Sequence, residues 1–231
     1  MNNINGMSGQ RVLTVIVQIT VCILLAIIIV GLIQQYVFAP VQIEGASMMP
    51  TIKVEGDKVY ILKTGYKLEY YDMIIFFRPN GDDVDDSKNP ASQHISITKF
   101  LNSLPIIGRQ TVSSDNGGTD FTCVIKRIIG MPGDTITITN GQVFRKPAGS
   151  SETEALNDFV MEKDIGSGYG IKDTVEPIVV GENEYYVMGD NRNNSYDSED
   201  YGPIKSSWIY GKVVLINSDG KMKVPSISSL V

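Results

Sequence analysis

The longest apolar stretch of the chain lies close to its N-terminus. Residues 12–33 (VLTVIVQITVCILLAIIIVGLI) carry no charge, and only four polar or small residues interrupt the run. A helix of 22 residues would be about 33 Å long at about 1.5 Å per residue, and the apolar core of a bilayer is about 30 Å thick. The pattern predicts a transmembrane helix at 12–33, preceded by a short cytoplasmic tail at 1–11.

A cleaved secretory signal peptide is the alternative interpretation of this stretch. Residues 37–39 (VFA) resemble a small-x-small cleavage site. However, the apolar run is longer than the usual ~7–15 residues of a signal peptide. Pro40 follows the site, and a bond to proline is a poor one to cleave. We therefore expect a retained membrane anchor.

Basic residues flanking the anchor indicate its orientation. Arg11 lies directly before the span, whereas the first basic residue after it is Lys53. Because cytoplasmic flanks carry the excess of Lys and Arg, this bias favours the N-terminus inside and residues 34–231 outside.

After the anchor, the apolar positions are typical of strands. Short apolar runs with turn residues between them predict an antiparallel, mainly β domain. Asn140-Gly141 separates two of these runs and fits the type I′ turn of a hairpin. The predicted strands are 57–62, 72–77, 121–129, 135–139, 142–145, 185–188 and 208–216.

Two stretches are predicted to be insertions in this domain, at about 79–120 and 147–180. The first contains an acidic loop followed by the apolar run 94–108. That run is interpreted either as a subdomain with its own small core or as a loop that rests on the bilayer surface. The second has Ser at 151 and Glu at 154 before apolar positions, which is the pattern of a capping box and predicts a short helix.

Composition narrows the possible functions. With 231 residues, of which 42% are hydrophobic, the chain can form a real core. Its formal charge of −6 argues against nucleic acid as a partner, because phosphate binding needs a basic face. The single histidine, His94, excludes a His-rich metal site. Two cysteines, Cys22 and Cys123, are too few for a disulfide scaffold.

Three polar segments are candidates for chemistry, although each is weak when taken alone. GASMMPT (45–51) places a serine among small residues, which is most often just a turn. KRIIGMPGD (126–134) begins with two cations inside an apolar strand. One of them would face packed apolar surface, where burial favours a neutral amine, unless the lysine extends to the surface. GDNRNNSYDS (189–198) is typical of a long surface turn.

Taken together and in order, these segments resemble the boxes of the bacterial type I signal peptidases. GDKV at 56–59 adds a fourth match, and the single anchor is similar to the Gram-positive type. The resemblance implies that Ser47 is the nucleophile, Lys126 the general base and Ser195 the group that orients the lysine. It further implies structural roles for Asp190 and Arg192, and supporting roles for Arg127 and Asp197.

Two positions depart from the family pattern. Some members carry a serine where this chain has Gly45, and its hydroxyl helps to bind the oxyanion. The resemblance therefore implies an oxyanion hole built from backbone N–H groups around Gly45 and Ser47. In the last box the family usually has an arginine where Glu199 stands, so Asp197 is expected to lose a salt-bridge partner.

The resemblance implies a cell-membrane enzyme without a cofactor. Its substrates would be secreted preproteins with small residues at positions −1 and −3 of the cleavage site (an Ala-x-Ala type site). The enzyme would cleave them at the bilayer, near the translocation machinery. Other functions stay open: a self-cleaving Ser-Lys repressor, a tethered β domain that only binds ligands, and a non-catalytic or specialised assembly factor for surface structures such as pili. The repressor would use the same dyad, but with an N-terminal DNA-binding domain and a much shorter Ser-to-Lys spacing. A domain that only binds ligands has no need for Ser47 and Lys126 together.

Overall fold

A computed structural model describes residues 9–53, 57–81, 84–91, 120–156, 174 and 176–225. The chain forms two compact units, one containing the N-terminal helix up to Val37 and the other the β domain that begins at Phe38. The helices are α1 (Gly9–Tyr36) and α2 (Ser198–Tyr201). The strands are β1 (Phe38–Gln42), β2 (Lys58–Leu62), β3 (Met73–Pro79), β4 (Phe121–Gly130), β5 (Thr135–Thr139), β6 (Gln142–Lys146), β7 (Glu154–Ala155), β8 (Ile178–Val179), β9 (Glu184–Met188), β10 (Ile204–Lys205), β11 (Ile209–Ser218) and β12 (Lys221–Lys223).

Helix α1 contains the whole apolar run and extends three residues beyond it at each end. Its two threonine hydroxyls donate to backbone carbonyls one turn earlier, Thr14 to Gln10 and Thr20 to Ile16, both at 2.9 Å. These bonds satisfy polar groups that would otherwise be costly in an apolar medium. The helix is long and apolar enough to cross a membrane.

The larger sheet of the β domain positions the candidate residues. Its strand order is β1-β2-β11-β3-β4-β9-β10, with β12 paired to β11, and every pairing is antiparallel. Because side chains alternate along a strand, the two faces carry different cores. Ile75 and Ile125 belong to one core, whereas Ile74 and Phe76 belong to the other.

The smaller sheet has the order β7-β6-β5-β8. The predicted hairpin is confirmed: β5 and β6 pair across Asn140 and Gly141, whose φ angles are 51° and 71°. Both values are positive, as a type I′ turn requires. The core of this sheet contains Ile136, Ile138 and Val143.

The mainly β, antiparallel fold class is confirmed, and each predicted strand is present within two residues of its predicted ends. The predicted helix after Ser151 is wrong at its start. Glu154 and Ala155 form strand β7 against β6 instead, where the Glu154 carboxylate accepts from Arg145 at 2.9 Å. Residues 157–173 of that prediction, and the apolar run 94–108, lie outside the described residues.

Candidate active site

Ser47 lies in the turn that follows β1 and is partly exposed. The turn is anchored by two apolar neighbours, Met48 and Ile52, which are 1% and 0% exposed. Gly45 adopts a φ of 102°, a value that favours glycine and bends the chain before the serine. The Ser47 carbonyl accepts from the Asn191 amide at 2.9 Å. Its own N–H and hydroxyl donate to no other residue that the structure describes.

Lys126 lies on β4 opposite Ile74 and is only 2% exposed. Its ammonium group forms no ion pair or hydrogen bond within the described ranges. Burial lowers the pKa of Lys126 to about 8, since an ammonium group loses its hydration in a packed interior. The carboxylates of Asp197 and Asp190 act in the opposite direction, but burial outweighs them.

A buried ion pair joins the lysine strand to the last polar segment. The Arg127 guanidinium donates to both Asp190 carboxylate oxygens, at 2.7 and 2.6 Å, and both side chains are 1% exposed. The Thr51 hydroxyl donates to the same carboxylate at 2.6 Å, and Arg127 also donates to the Tyr71 carbonyl at 2.7 Å. The three polar segments of the sequence therefore meet at Asp190.

Gly189 is the point of closest approach between the serine turn and the loop after β9. A methyl group at this position would lie 2.5 Å from the Ser47 carbonyl oxygen and 2.8 Å from Ser195 Cβ. The Gly189 amide donates to Asp197 at 2.9 Å, and its carbonyl accepts from Arg192 Nε at 3.0 Å. Only a residue without a side chain permits this packing.

Asp197 is buried and caps the short helix α2. Its carboxylate accepts from the Glu199 amide, and Asp200 completes a capping box by accepting from the Asp197 amide. Burial raises the pKa of the Asp197 carboxyl, whereas the hydrogen bond from the Gly189 amide acts to lower it. Asp197 therefore has backbone partners of its own, although Glu199 replaces the arginine of the family pattern.

The structure brings the predicted residues into one region without joining the dyad directly. Neither the Ser47 hydroxyl nor the Ser195 hydroxyl forms a hydrogen bond with the Lys126 amine. Sequence reasoning assigned no role to Thr51, Gly189 or Asn191, although all three lie inside the segments that it singled out. The contacts of Gly189 and Asn191 run largely through the backbone, which leaves no distinctive residue pattern, whereas Thr51 donates its side-chain hydroxyl to Asp190.

A narrow groove runs beside Ser47. Residues 41–44 and 123–125 form its sides together with Ile75. Burial raises the pKa of the Cys123 thiol to about 12, so this cysteine is an inert part of the wall. The groove is mostly apolar and small, which suits small side chains.

Comparison with known proteins identifies the family of the chain. The family described as "Signal peptidase, peptidase S26" matches residues 16–217 of the chain. The chain belongs to this family. Signal peptidase I S of Bacillus subtilis (strain 168) is 28% identical over 176 residues, which are 76% of this chain and 74% of that protein. Probable thylakoidal processing peptidase 2 of Arabidopsis thaliana is 29% identical over 76% of this chain and 36% of its own length.

Among solved structures, a signal peptidase I from Enterococcus faecalis V583 covers 64% of this chain and 98% of its own. Its identity is 19% and its TM-score 0.37. Membership of the signal peptidase family rests on the sequence match, and it makes the chain a signal peptidase. The apolar helix α1 is in keeping with the membrane location of such enzymes.

Proposed function

We propose that this signal peptidase is a serine endopeptidase in which Ser47 is the nucleophile and Lys126 the general base. The observation that carries the proposal is the state of Lys126: a buried amine with a pKa of about 8 and no ion-pair partner among the described residues. At about pH 8 half of such a lysine is neutral and able to accept a proton, and this share grows as the pH rises. It can activate a hydroxyl without histidine.

The reaction follows from these two groups. The neutral Lys126 amine takes the proton from the Ser47 hydroxyl while the oxygen attacks the carbonyl carbon of the scissile bond. The resulting ammonium returns the proton to the leaving amine, and an acyl ester on Ser47 remains. Water then attacks the ester, giving up its proton to Lys126, and the serine hydroxyl is restored.

The negative oxygen of each tetrahedral intermediate needs hydrogen-bond donors. The Ser47 amide is a suitable donor because it bonds to no other described residue. Gly45, exposed and with positive φ, leaves room for the substrate carbonyl beside it. Preorganised backbone donors of this kind typically lower the barrier by ~3–4 kcal/mol each.

Ser195 and the charged residues near it are proposed to position the dyad. The Ser195 hydroxyl is buried, and its proposed role is to hydrogen-bond the Lys126 amine and orient it. Asp190 joins the loop after β9 to Arg127 of β4 and to Thr51 of the serine turn, and Arg192 braces the loop itself by donating to the Gly189 carbonyl. Among the neighbouring charges, Asp197 does most to stabilise the protonated form of Lys126.

The substrate is proposed to be a secreted preprotein that binds as an extended strand. Residues 122–125 of β4 pair only with β3 within the described part of the chain, because β9 joins β4 from Arg127 onward. A peptide can therefore add to this edge, with its small −1 and −3 side chains in the groove beside Ser47. Signal peptides with an Ala-x-Ala site fit this requirement.

The anchor determines where this chemistry takes place. We propose a cytoplasmic tail at 1–11, a membrane span at 12–33 and an extracytoplasmic catalytic domain at 34–231, close to the translocation machinery. Tethering confines the enzyme to the membrane surface where preproteins emerge. This raises the effective concentration of the enzyme at its cleavage sites.

Cleavage of a preprotein by the full-length chain in detergent or lipid tests the proposal. The substrate carries an Ala-x-Ala site, and mass spectrometry identifies the new N-terminus. We expect cleavage after the −1 alanine, lost in both Ser47→Ala and Lys126→Ala. Ser207→Ala and Lys221→Ala, at exposed positions, serve as controls and should cleave normally. Cleavage that survives either dyad change would refute the mechanism, and no cleavage by any form would favour an assembly role.

A further inference from the structure

The groove beside Ser47 carries a single charged side chain, that of Glu44, among the residues that the structure describes. Its other lining residues are uncharged and come from 41–43, 123–125 and Ile75, together with the serine itself. Glu44 therefore lies in the same groove as the proposed nucleophile, three positions before it in the chain. A substrate that enters this groove meets one fixed negative charge.

The Glu44 carboxylate has no partner in the described part of the chain. The residue is exposed, and no Lys or Arg in the described ranges forms an ion pair with it. It accepts no hydrogen bond from any described residue either. Because no cation lines the groove beside it, its charge remains available to a ligand, and a basic side chain is the group that complements it.

Alternation along the β1 side of the groove directs Glu44 away from the core. Val41 and Ile43 are 2% and 6% exposed, and they share a core with Ile125 on the opposite side of the groove. Gln42 and Glu44 are exposed, so the alternation of β1 continues two residues beyond its end at Gln42. The floor of the groove is therefore apolar, whereas its β1 rim is polar and carries the charge.

A peptide strand in this groove presents its side chains alternately to the floor and to the rim. If the small −1 and −3 side chains face the apolar floor, the −2 and −4 side chains face the rim. The scissile bond lies at Ser47, so the residues upstream of it follow the groove from Glu44 towards Val41. This order places −2 beside Glu44 and −4 beside Gln42. Neighbouring strands lie about 4.8 Å apart, and a lysine side chain at −2 spans that distance.

We propose that Glu44 is a specificity residue that favours a basic side chain, and disfavours an acidic one, at position −2 of the signal peptide. The inference rests on the proposed function, because it takes the position of the peptide strand from it. The expected preference is moderate, since Glu44 is exposed and exposed ion pairs contribute little and are screened by salt.

The test compares peptides that differ at one position only. The full-length enzyme in detergent is given substrates with alanine at −1 and −3 and with Lys, Gln or Glu at −2, and a second series carries the same exchange at −4. At −2, kcat/KM should be about threefold higher for Lys than for Gln, and lower for Glu by a similar factor. The −4 series should show a clearly smaller spread. In about 1 M salt, where the Debye length is about 3 Å, the preference at −2 should largely disappear.

Three variants separate the Glu44 carboxylate from the overall charge of the protein. Glu44→Gln should bring the Lys, Gln and Glu peptides of the −2 series to about equal kcat/KM. Glu44→Lys should reverse their order, because the rim then carries a positive charge. Glu182→Gln removes one exposed carboxylate in the turn before β9. It lowers the negative charge by the same amount and should leave the order unchanged.

Each result bears on a different statement. Equal cleavage of the three −2 peptides by the wild type would overturn the inference while the enzyme is plainly active. The same holds for a preference that persists in Glu44→Gln, or for one equally strong at −4, which would reflect only the attraction of an acidic protein for cations. Failure of the wild type to cleave any peptide would contradict the proposed function itself, and the inference with it. If the Glu44 variants lost all activity, the wild-type order at −2 against −4 and its loss in salt would still decide.

Discussion

Replacing Lys126 with methionine should stabilise the protein while it abolishes cleavage. The lysine is 2% exposed, and its pKa falls from the ordinary value of 10.5 to about 8 because of burial. The folded state therefore disfavours the ammonium form that the unfolded chain carries at neutral pH. Methionine has a similar length and needs no hydration, so it removes this cost.

The sign and size of the effect follow from proton linkage. Between pH 8 and 10.5 the unfolded chain binds more protons at this residue than the folded one, so stability rises with pH in that window. Below about pH 8 the full cost is present, and at 1.36 kcal/mol per pKa unit it is about 3 kcal/mol at pH 7. At pH 10 about 1 kcal/mol remains. The free energy of unfolding of the Lys126→Met variant should exceed that of the wild type by these amounts.

The assay is denaturant unfolding of the full-length chain in detergent at pH 7 and pH 10. Trp208 is the only tryptophan, so its fluorescence reports on the β domain. Lys58→Met provides the control, because Lys58 is an exposed residue of β2. Removing that charge should change the free energy of unfolding by less than about 0.5 kcal/mol at either pH.

Two results would refute the reasoning. The first is a Lys126→Met variant that is no more stable than the wild type at pH 7. The second is a gain that is the same at pH 7 and pH 10, since the effect would then come from packing and not from a disfavoured charge. A gain that shrinks with pH, together with lost cleavage, would show that the enzyme carries this lysine at the expense of stability.

Three further predictions concern the same region. The kcat/KM of peptide cleavage should rise with pH through about 8, because only the neutral Lys126 amine can accept a proton. A pH profile that is flat from 6 to 9, with the chemical step rate-limiting, would contradict this. Asp190→Asn leaves the buried Arg127 cation without its counter-charge and should lower the free energy of unfolding by about 3–5 kcal/mol, measured by denaturant titration. Gly189→Ala forces a methyl group against the Ser47 carbonyl and should lower kcat/KM about 100-fold; unchanged activity, with circular dichroism showing a native fold, would rule out this close approach.

The strands were predictable from sequence because alternation and turn chemistry are local. The Asn140-Gly141 hairpin is the clearest case, since both φ angles are positive as its residue types demand. Strand β1 was missed, because Pro40 lies in its centre and proline usually argues against a strand. β1 is paired only with β2 in the described sheet, and an edge strand tolerates the missing N–H.

The capping boxes show how short patterns mislead. The pattern at Ser151 and Glu154 predicted a helix, yet Glu154 is held in strand β7 by Arg145. A capping box does exist at Asp197 and Asp200, where α2 begins. Four residues carry too little information to separate the two cases, and long-range pairing decided between them.

The arrangement of the site was predictable in its residue types but not in its contacts. Lys126 and Ser47 are 79 positions apart, and the structure relates their segments through the Asp190 carboxylate and through backbone groups. The Ser47 carbonyl accepts from the Asn191 amide and packs against Gly189. Any residue has a carbonyl, so such a contact leaves no trace in a residue pattern. It also has a chemical consequence: a serine held by its carbonyl keeps both its amide and its hydroxyl available for the substrate.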